Sequence, residues 1–150
     1  MLKALPVILL CWGLAPWCFV TDPTGPCHKA VKYKIGYKTR TGRDKYLDLQ
    51  ISIKEGDVTI EDLIELACNL KNRYPREPRL AVYVFTLEEA AKKFADVYEQ
   101  PRYEEMHEAW RAYYWLDRTK GEEYLEYVLG PYKVGQKMQH VDLTKRSKPH

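Results

Sequence analysis

The residues with metal-binding chemistry in this sequence are Glu104, His107 and Glu108. On a helix, positions i, i+3 and i+4 share one side, so this spacing would present two carboxylates and an imidazole together. Such a set can hold a divalent metal ion, as a metal-dependent hydrolase requires. The spacing is not that of the H-E-x-x-H zinc motif, because Arg111 stands where the second histidine should be. We favour the alternative interpretation, a solvated acidic turn.

Nucleophilic catalysis has weaker support in the sequence. The serines are Ser52 and Ser147, and neither lies in the G-x-S-x-G pattern of serine hydrolases. Cys68 falls in the middle of a predicted helix, with no helix N-terminus to lower its pKa and no histidine close in sequence. We therefore predict no catalytic residues and no cofactor.

Cysteine placement points instead to a structural bond. Cys27 and Cys68 are the two cysteines that follow the N-terminal segment described below. A disulfide between them would tie the start of the domain onto the first helix, and two unlinked thiols are the alternative. Two cysteines without a nearby second pair do not indicate a zinc site.

Residues 1–20 have the pattern of an export signal. Lys3 supplies a short positive region, and the apolar stretch from Leu5 to Leu14 is too short for a comfortable membrane span. We predict an exported protein, periplasmic or secreted, with no transmembrane span in the mature chain. The cleavage site stays open, and an uncleaved N-terminus would hold the protein at the membrane.

A second group of residues has the chemistry of a contact surface. Six aromatic residues lie close together near the C-terminal end of the chain: Trp110, Tyr113, Tyr114, Trp115, Tyr124 and Tyr127. Helices can bury only one face of a hairpin, which would leave Tyr113 and Trp115 exposed beside Arg111. Exposed Trp, Tyr and Arg are typical of surfaces that bind a protein or a glycan. The alternative is that these aromatics pair across strands and only stabilise the sheet.

The charges are unevenly distributed. From His28 to Lys45 seven basic residues stand against one acidic residue, whereas Tyr46–Gly130 carries eleven basic and eighteen acidic residues. The basic residues Lys32, Lys34 and Lys38 alternate along one predicted strand. They indicate either internal ion pairs with the acidic middle or a surface for nucleic acid or another anionic partner. Export argues against nucleic acid.

The periodicity of the sequence predicts the helices and strands that carry these residues. The unbroken apolar run Leu80–Phe85 predicts a central strand buried on both faces. A helix capped by Thr59 should precede it, and a second helix should begin at the Thr86–Glu89 capping box.

Val31–Lys38 and Leu47–Lys54 alternate with period two and predict a hairpin, with Val31, Tyr33, Ile35 and Tyr37 facing inward on the first strand. Ala109–Asp117 and Glu122–Leu129 predict a second hairpin. Arg102–Glu108 is left open between helix and loop.

These elements predict an α+β fold of order β-β-α-β-α-β-β: a two-layer sandwich with a mixed five-stranded sheet and two helices, most simply on one face. The domain should span residues 27–130, followed by a basic, mobile tail at 131–150. The leading functional hypothesis is a small, non-catalytic binding domain that contacts an unknown protein or glycan through the aromatic hairpin. A metal-dependent hydrolase and an anion binder are the alternatives.

Overall fold

The centre of the molecule is one six-stranded sheet whose strands lie side by side in chain order. The computed structural model describes residues 27–43, 46–93 and 103–145. The strands are β1 (Lys34–Thr41), β2 (Tyr46–Ser52), β3 (Arg79–Phe85), β4 (Trp110–Asp117), β5 (Glu122–Tyr127) and β6 (Gln139–Asp142). β2 and β3 are parallel, and every other neighbouring pair is antiparallel. The predicted α+β fold with a mixed sheet is confirmed.

The helices are short. They are α1 (Ile60–Arg73), α2 (Glu88–Lys93) and α3 (Tyr103–Glu108), and a 3-10 turn at Glu55–Asp57 precedes α1. The open question at Arg102–Glu108 is therefore answered by a third helix from Tyr103. Residues 94–102, which follow α2, lie outside the described residues, as does the predicted export signal at 1–20.

The central strand is confirmed. Leu80, Val82 and Phe85 in β3 have no measurable exposure, and β3 is hydrogen-bonded to β2 on one side and β4 on the other. Because β3 has neighbours on both edges and side chains packed on both faces, an unbroken apolar sequence is what this position requires.

Helix α1 covers one face of the sheet. Its N-terminus is capped as predicted: the Asp62 backbone N–H donates to Thr59 Oγ1 at 3.1 Å, and the Thr59 hydroxyl donates to the Asp62 carboxylate at 2.8 Å. The apolar stripe of α1 packs on alternate residues of β2, β3 and β4. The buried members of this stripe are Leu63, Leu66, Ala67 and Leu70.

The opposite face of the sheet carries a second, smaller apolar cluster at one end. It joins Phe85 to α2 and α3, and its other buried members are Ala90, Ala91, Met106 and Ala109. Phe85 lies on the opposite face of β3 from Leu80, Val82 and Val84, since successive strand residues alternate sides. The helices therefore lie on both faces of the sheet, with α1 on one and α2 and α3 on the other.

The first strand differs from its prediction. β1 begins at Lys34, and its pairing with β2 shifts register between Ile35 and Tyr37. Ile35 pairs with Ile51 on the α1 face, whereas Tyr37 pairs with Gln50 on the other face. A one-residue bulge reverses the alternation, which a period-two pattern cannot anticipate. Ile35 and Tyr37 are 38% and 40% exposed instead of facing inward, while Val31 is buried as predicted.

The predicted C-terminal tail contributes to the sheet. Gln139–Asp142 forms β6 against β5, and the backbone N–H of Leu143 donates to the carbonyl of Glu123 at 2.9 Å. Leu143 is 4% exposed and belongs to the α1-side core. The sheet therefore includes residues beyond position 130, and the sequence does not predict this strand because four residues at an edge are too few to show a period. Residues 146–150 lie outside the described residues.

The two cysteines are joined. Cys27 and Cys68 form a disulfide with a Cα–Cα distance of 5.8 Å across a sequence separation of 41. Hydrogen bonds support the same contact: the Glu65 carboxylate accepts from the backbone N–H groups of His28 and Lys29 at 2.8 and 3.1 Å. The segment before β1 is thereby held along the solvent side of α1.

Candidate functional site

The predicted metal ligands lie on α3. Glu104 and Glu108 are exposed, and His107 is half-buried with its ring stacked on Tyr132 at 5.9 Å between centroids. Burial lowers the pKa of His107, which favours the neutral imidazole. Among the described residues, the group of potential ligand atoms lying within 4.8 Å of one another is a different one, formed by Cys27, Glu65 and Cys68. The two sulfurs of that group are bonded to each other, so neither is a thiolate ligand.

Arg111 is not the exposed contact residue that the sequence predicted. It is 3% exposed and falls in a bulge of the β3–β4 pairing, where Phe85 pairs with Trp110 and Val84 pairs with Ala112. Its guanidinium donates to the backbone carbonyls of Glu108 and Trp110, and to both carboxylate oxygens of Glu55 at 2.9 and 3.2 Å. The bulge turns this side chain into a structural tie between α3, β4 and the turn before α1.

Tyr113 and Trp115 are less exposed than the sequence predicted. Both are half-buried on the sheet face opposite α1. We call the surface they share with three other half-buried rings the aromatic face; its members are Tyr46, Tyr83, Tyr113, Trp115 and Tyr124. The rings contact one another, with centroid distances of 4.9 Å for Tyr83–Tyr113 and 5.9 Å for Tyr46–Trp115. The chain of rings continues from Tyr113 to Tyr124 at 6.3 Å and from Tyr124 to His140 at 5.2 Å.

Two polar residues of β2 lie on the same face as these rings. Asp48 pairs across β2–β3 with Ala81, and Gln50 pairs with Tyr83. The buried oxygens Asp48 Oδ1 and Gln50 Oε1 have no hydrogen-bond partner among the described residues. Burial raises the pKa of the Asp48 carboxyl. Burial also raises the pKa of the Tyr83 and Tyr113 hydroxyls, and the Asp48 charge adds to both shifts.

Sequence reasoning missed Asp48 and Gln50. Within the predicted strand they are the outward residues between Leu47, Leu49 and Ile51, a position that ordinarily faces water. A signal was nonetheless present, because a strand paired in parallel with a strand that is buried on both faces is expected to share its environment on both faces. Once Leu80–Phe85 is taken as buried on both sides, the outward residues of the adjacent strand are expected to be partly covered.

The three lysines predicted to form one basic strand face, Lys32, Lys34 and Lys38, do not share one surface. Lys34 pairs with Ser52, on the opposite face from Lys38, because the bulge near Gly36 lies between them. Lys38 lies over the ring of Tyr74 at 5.2 Å on the α1 side. Lys34 forms an ion pair with Glu88 of α2 at 2.9 Å.

Lys32 and Lys34 instead line a groove of about 350 Å³ at the end of the sheet. We call it the basic groove; its lining residues are Lys32, Tyr33, Lys34, Ser52, Ile53, Lys54, Thr86 and Glu88. An adjacent cavity of about 230 Å³ shares Lys32 and Lys54. The Glu88 carboxylate accepts hydrogen bonds from Lys92 and Lys34, and these hydrogen bonds lower its pKa to about 2. Within residues 27–43, 46–93 and 103–145, neither Lys32 nor Lys54 forms an ion pair.

None of the helices in the described part of the chain has the length and apolar character to cross a membrane. Comparison of the chain with protein-family models, with curated proteins and with solved structures found no match. Function is therefore inferred from the aromatic face and the basic groove themselves.

Proposed function

We propose that this protein is a small exported binding domain that recognises its partner through the aromatic face. The observation that carries the proposal is a set of half-buried aromatic rings in mutual contact on the side of the sheet opposite α1. Rings used only for packing gain most when they are fully buried, as Tyr114 on the α1 side is at 1% exposure. Half-buried Tyr and Trp side chains can still release water when a partner covers them.

The disulfide supports the export part of the proposal. Disulfides persist in oxidising compartments outside the cytoplasm, and Cys27–Cys68 ties the domain together immediately after the predicted signal segment. Several groups with reactive chemistry are occupied by structural contacts. Arg111 and Glu55 are committed to each other, and the cysteines to a disulfide.

The test uses binding to defined probes. Labelled full-length protein is applied to an oligosaccharide array and a peptide array, and each hit is titrated in solution by isothermal calorimetry. Replacing Trp115 by Ala should weaken binding of a true partner by about 1–3 kcal/mol, roughly fivefold to 150-fold, because it removes a central ring. Trp115→Phe, which keeps a ring, should retain most of the affinity.

The matched control is Tyr74→Ala, which removes a half-buried ring on the α1 side of the sheet. This variant should bind like the parent protein. Equal affinities for the parent, Trp115→Ala and Tyr113→Ala, all shown to be folded by circular dichroism, would exclude the aromatic face as the contact surface. If the affinity falls together with the melting temperature in every variant, including Tyr74→Ala, the rings have a structural role and are not the contact surface.

The basic groove supports a second candidate function, the binding of an anionic group. The specific observation is that Lys32 and Lys54, which have no ion pair among the described residues, line both adjoining cavities. Titration with inorganic phosphate, and with a short single-stranded oligonucleotide at several salt concentrations, tests it. The Lys32→Gln, Lys54→Gln variant should lose binding, whereas Lys120→Gln, in the β4–β5 turn, should not. Affinity that is unchanged in the double variant would exclude the groove.

The metal-dependent hydrolase remains an alternative prediction without support from ligand geometry. Metal analysis of the protein purified without a histidine tag tests it. A stoichiometric metal ion that is lost in His107→Ala would revive it.

A further inference from the structure

Two acceptor atoms are left unpaired under the aromatic face. Asp48 and Gln50 are separated by two positions on β2 and therefore point to the same side of the sheet. Gln50 is 5% exposed, and its Oε1 has no hydrogen-bond partner among the described residues; the same holds for Asp48 Oδ1. A buried acceptor without a donor is destabilising, because it has given up its hydrogen bonds to water and gained none in return. Both atoms are acceptors, so a ligand that satisfies them must bring donors.

The strand register places these atoms in two rows that cross the whole sheet. One row runs Thr39, Asp48, Ala81, Trp115, Tyr124 and Asp142; the next runs Tyr37, Gln50, Tyr83, Tyr113, Glu126 and His140. Neighbouring strands lie about 4.8 Å apart, so each acceptor is within two strands of the central rings. The acceptors and the aromatic face thus form one surface.

The charges in these rows are predominantly negative. Asp48 lies on β2, next to the β1 edge, and Glu126 and Asp142 lie on β5 and β6 at the opposite side of the sheet. The basic member of the rows is His140, 3.7 Å from Glu126, and it is charged only if protonated. Asp48 has no ion pair within the described residues, since the ion pairs formed there join other carboxylates. Asp48 as a whole is only half-buried, so solvent reaches its carboxylate beside the buried oxygen.

We infer that the group recognised at this surface is a guanidinium or ammonium cation, carried by a basic peptide segment of a partner protein. The inference rests on the proposed function and specifies its ligand. A cation stacked on Tyr or Trp faces is attracted by the ring quadrupole, and its N–H groups can donate to the Asp48 carboxylate, which belongs to a half-buried residue without an ion pair among the described residues. A neutral sugar would offer donors but leave the Asp48 charge uncompensated, and an anion would be repelled by it.

The probe is a short acetylated and amidated peptide of alternating glycine and arginine. Its control replaces arginine with citrulline, which keeps the planar donor group and removes the charge. Calorimetric titration of the full chain should show about tenfold or more tighter binding of the arginine peptide, because charge-assisted hydrogen bonds and cation–π contacts are lost with the charge. Asp48→Asn should abolish this preference, and Glu61→Gln, an exposed acid on α1, should leave it unchanged.

The outcomes separate this inference from the proposed function. Equal binding of the arginine and citrulline peptides, or an Asp48→Asn variant that still prefers arginine, would contradict the inference that the recognised group is a cation. If Trp115→Ala no longer binds the peptide while Asp48→Asn binds it normally, the aromatic face is supported as the contact surface and the inference of a cationic ligand is rejected. Tight binding of free spermidine without binding of the peptide overturns the peptide source. If the arginine peptide does not bind at all, the inference fails, and the array hits alone decide the proposed function.

Discussion

Arg111 Nη2 donates to both carboxylate oxygens of Glu55, at 2.9 and 3.2 Å, although the two residues are 56 positions apart in the chain. The Arg111 side chain is 4% exposed and that of Glu55 is 64% exposed, so a buried cation meets a carboxylate at the surface. The same guanidinium serves the backbone carbonyls of Glu108 and Trp110. This pair links the turn before α1 to the bulge in β4.

Replacing Arg111 by Met should lower the free energy of unfolding by about 2–4 kcal/mol, because two backbone carbonyls lose their donor along with the ion pair. Glu55→Gln should cost only about 0.5–1 kcal/mol, since its carboxylate is exposed to solvent. Urea denaturation measures both. A loss of less than 1 kcal/mol in Arg111→Met would show that water replaces the guanidinium.

The Glu55 variant also carries a pH dependence. The hydrogen bond from Arg111 is the main reason that the pKa of Glu55 is lowered in the folded protein. A carboxyl with a lowered folded pKa stabilises the fold above its unfolded pKa of about 4.3, and the contribution is lost as pH falls through the folded pKa. The stability difference between the parent and Glu55→Gln should therefore disappear in acid. A difference that persists at about pH 2 would contradict this assignment.

Asp48→Asn should raise the melting temperature near neutral pH. Burial raises the pKa of Asp48, so the ionised carboxylate opposes folding at pH values above that folded pKa. The penalty vanishes below the unfolded pKa of about 3.9, where the group is protonated in both states. Thermal unfolding followed by circular dichroism at about pH 7 and about pH 3 measures the effect. The expected result is a gain at neutral pH that is absent in acid, and a loss of stability at neutral pH would contradict it.

Gly36→Ala should destabilise the protein by about 1–3 kcal/mol through steric overlap. A Cβ atom at this position would lie 2.4 Å from the backbone carbon and 2.5 Å from the backbone oxygen of Ala91 in α2. Gly56→Ala is the matched control, because a Cβ there meets nothing within 4 Å. Chemical denaturation of the two variants should separate them clearly. Equal stabilities would mean that β1, an edge strand, moves away from α2 at little cost.

Removing the disulfide with Cys27→Ser and Cys68→Ser should cost about 2–4 kcal/mol, since the bond closes a long loop in the unfolded chain. Adding reductant to the parent protein should produce the same loss, and the double variant should not respond to reductant. Intact mass before and after reduction and alkylation establishes the bond directly. Two alkylated cysteines at positions 27 and 68 without reductant would contradict it.

Local periodicity determined the interior of this protein. Leu47, Leu49 and Ile51 alternate along β2, and the apolar run Leu80–Phe85 marks β3, a central strand with neighbours on both edges. The cap at Thr59 and the stripe of α1 are equally local, because backbone geometry alone sets which side chains share a face. These features require no knowledge of the partner strand, which is why they could be predicted.

Which residues lie together on each surface depends on the tertiary structure. Bulges at Gly36 and Arg111 separated Lys38 from Lys34 and buried a guanidinium predicted to be exposed. The strand register brought Asp48 and Gln50 under aromatic rings from β3, β4 and β5, and a four-residue segment became β6. The physical reason is that a bulge or a register depends on the strand alongside, whose identity is set by long-range packing and leaves no period in the sequence.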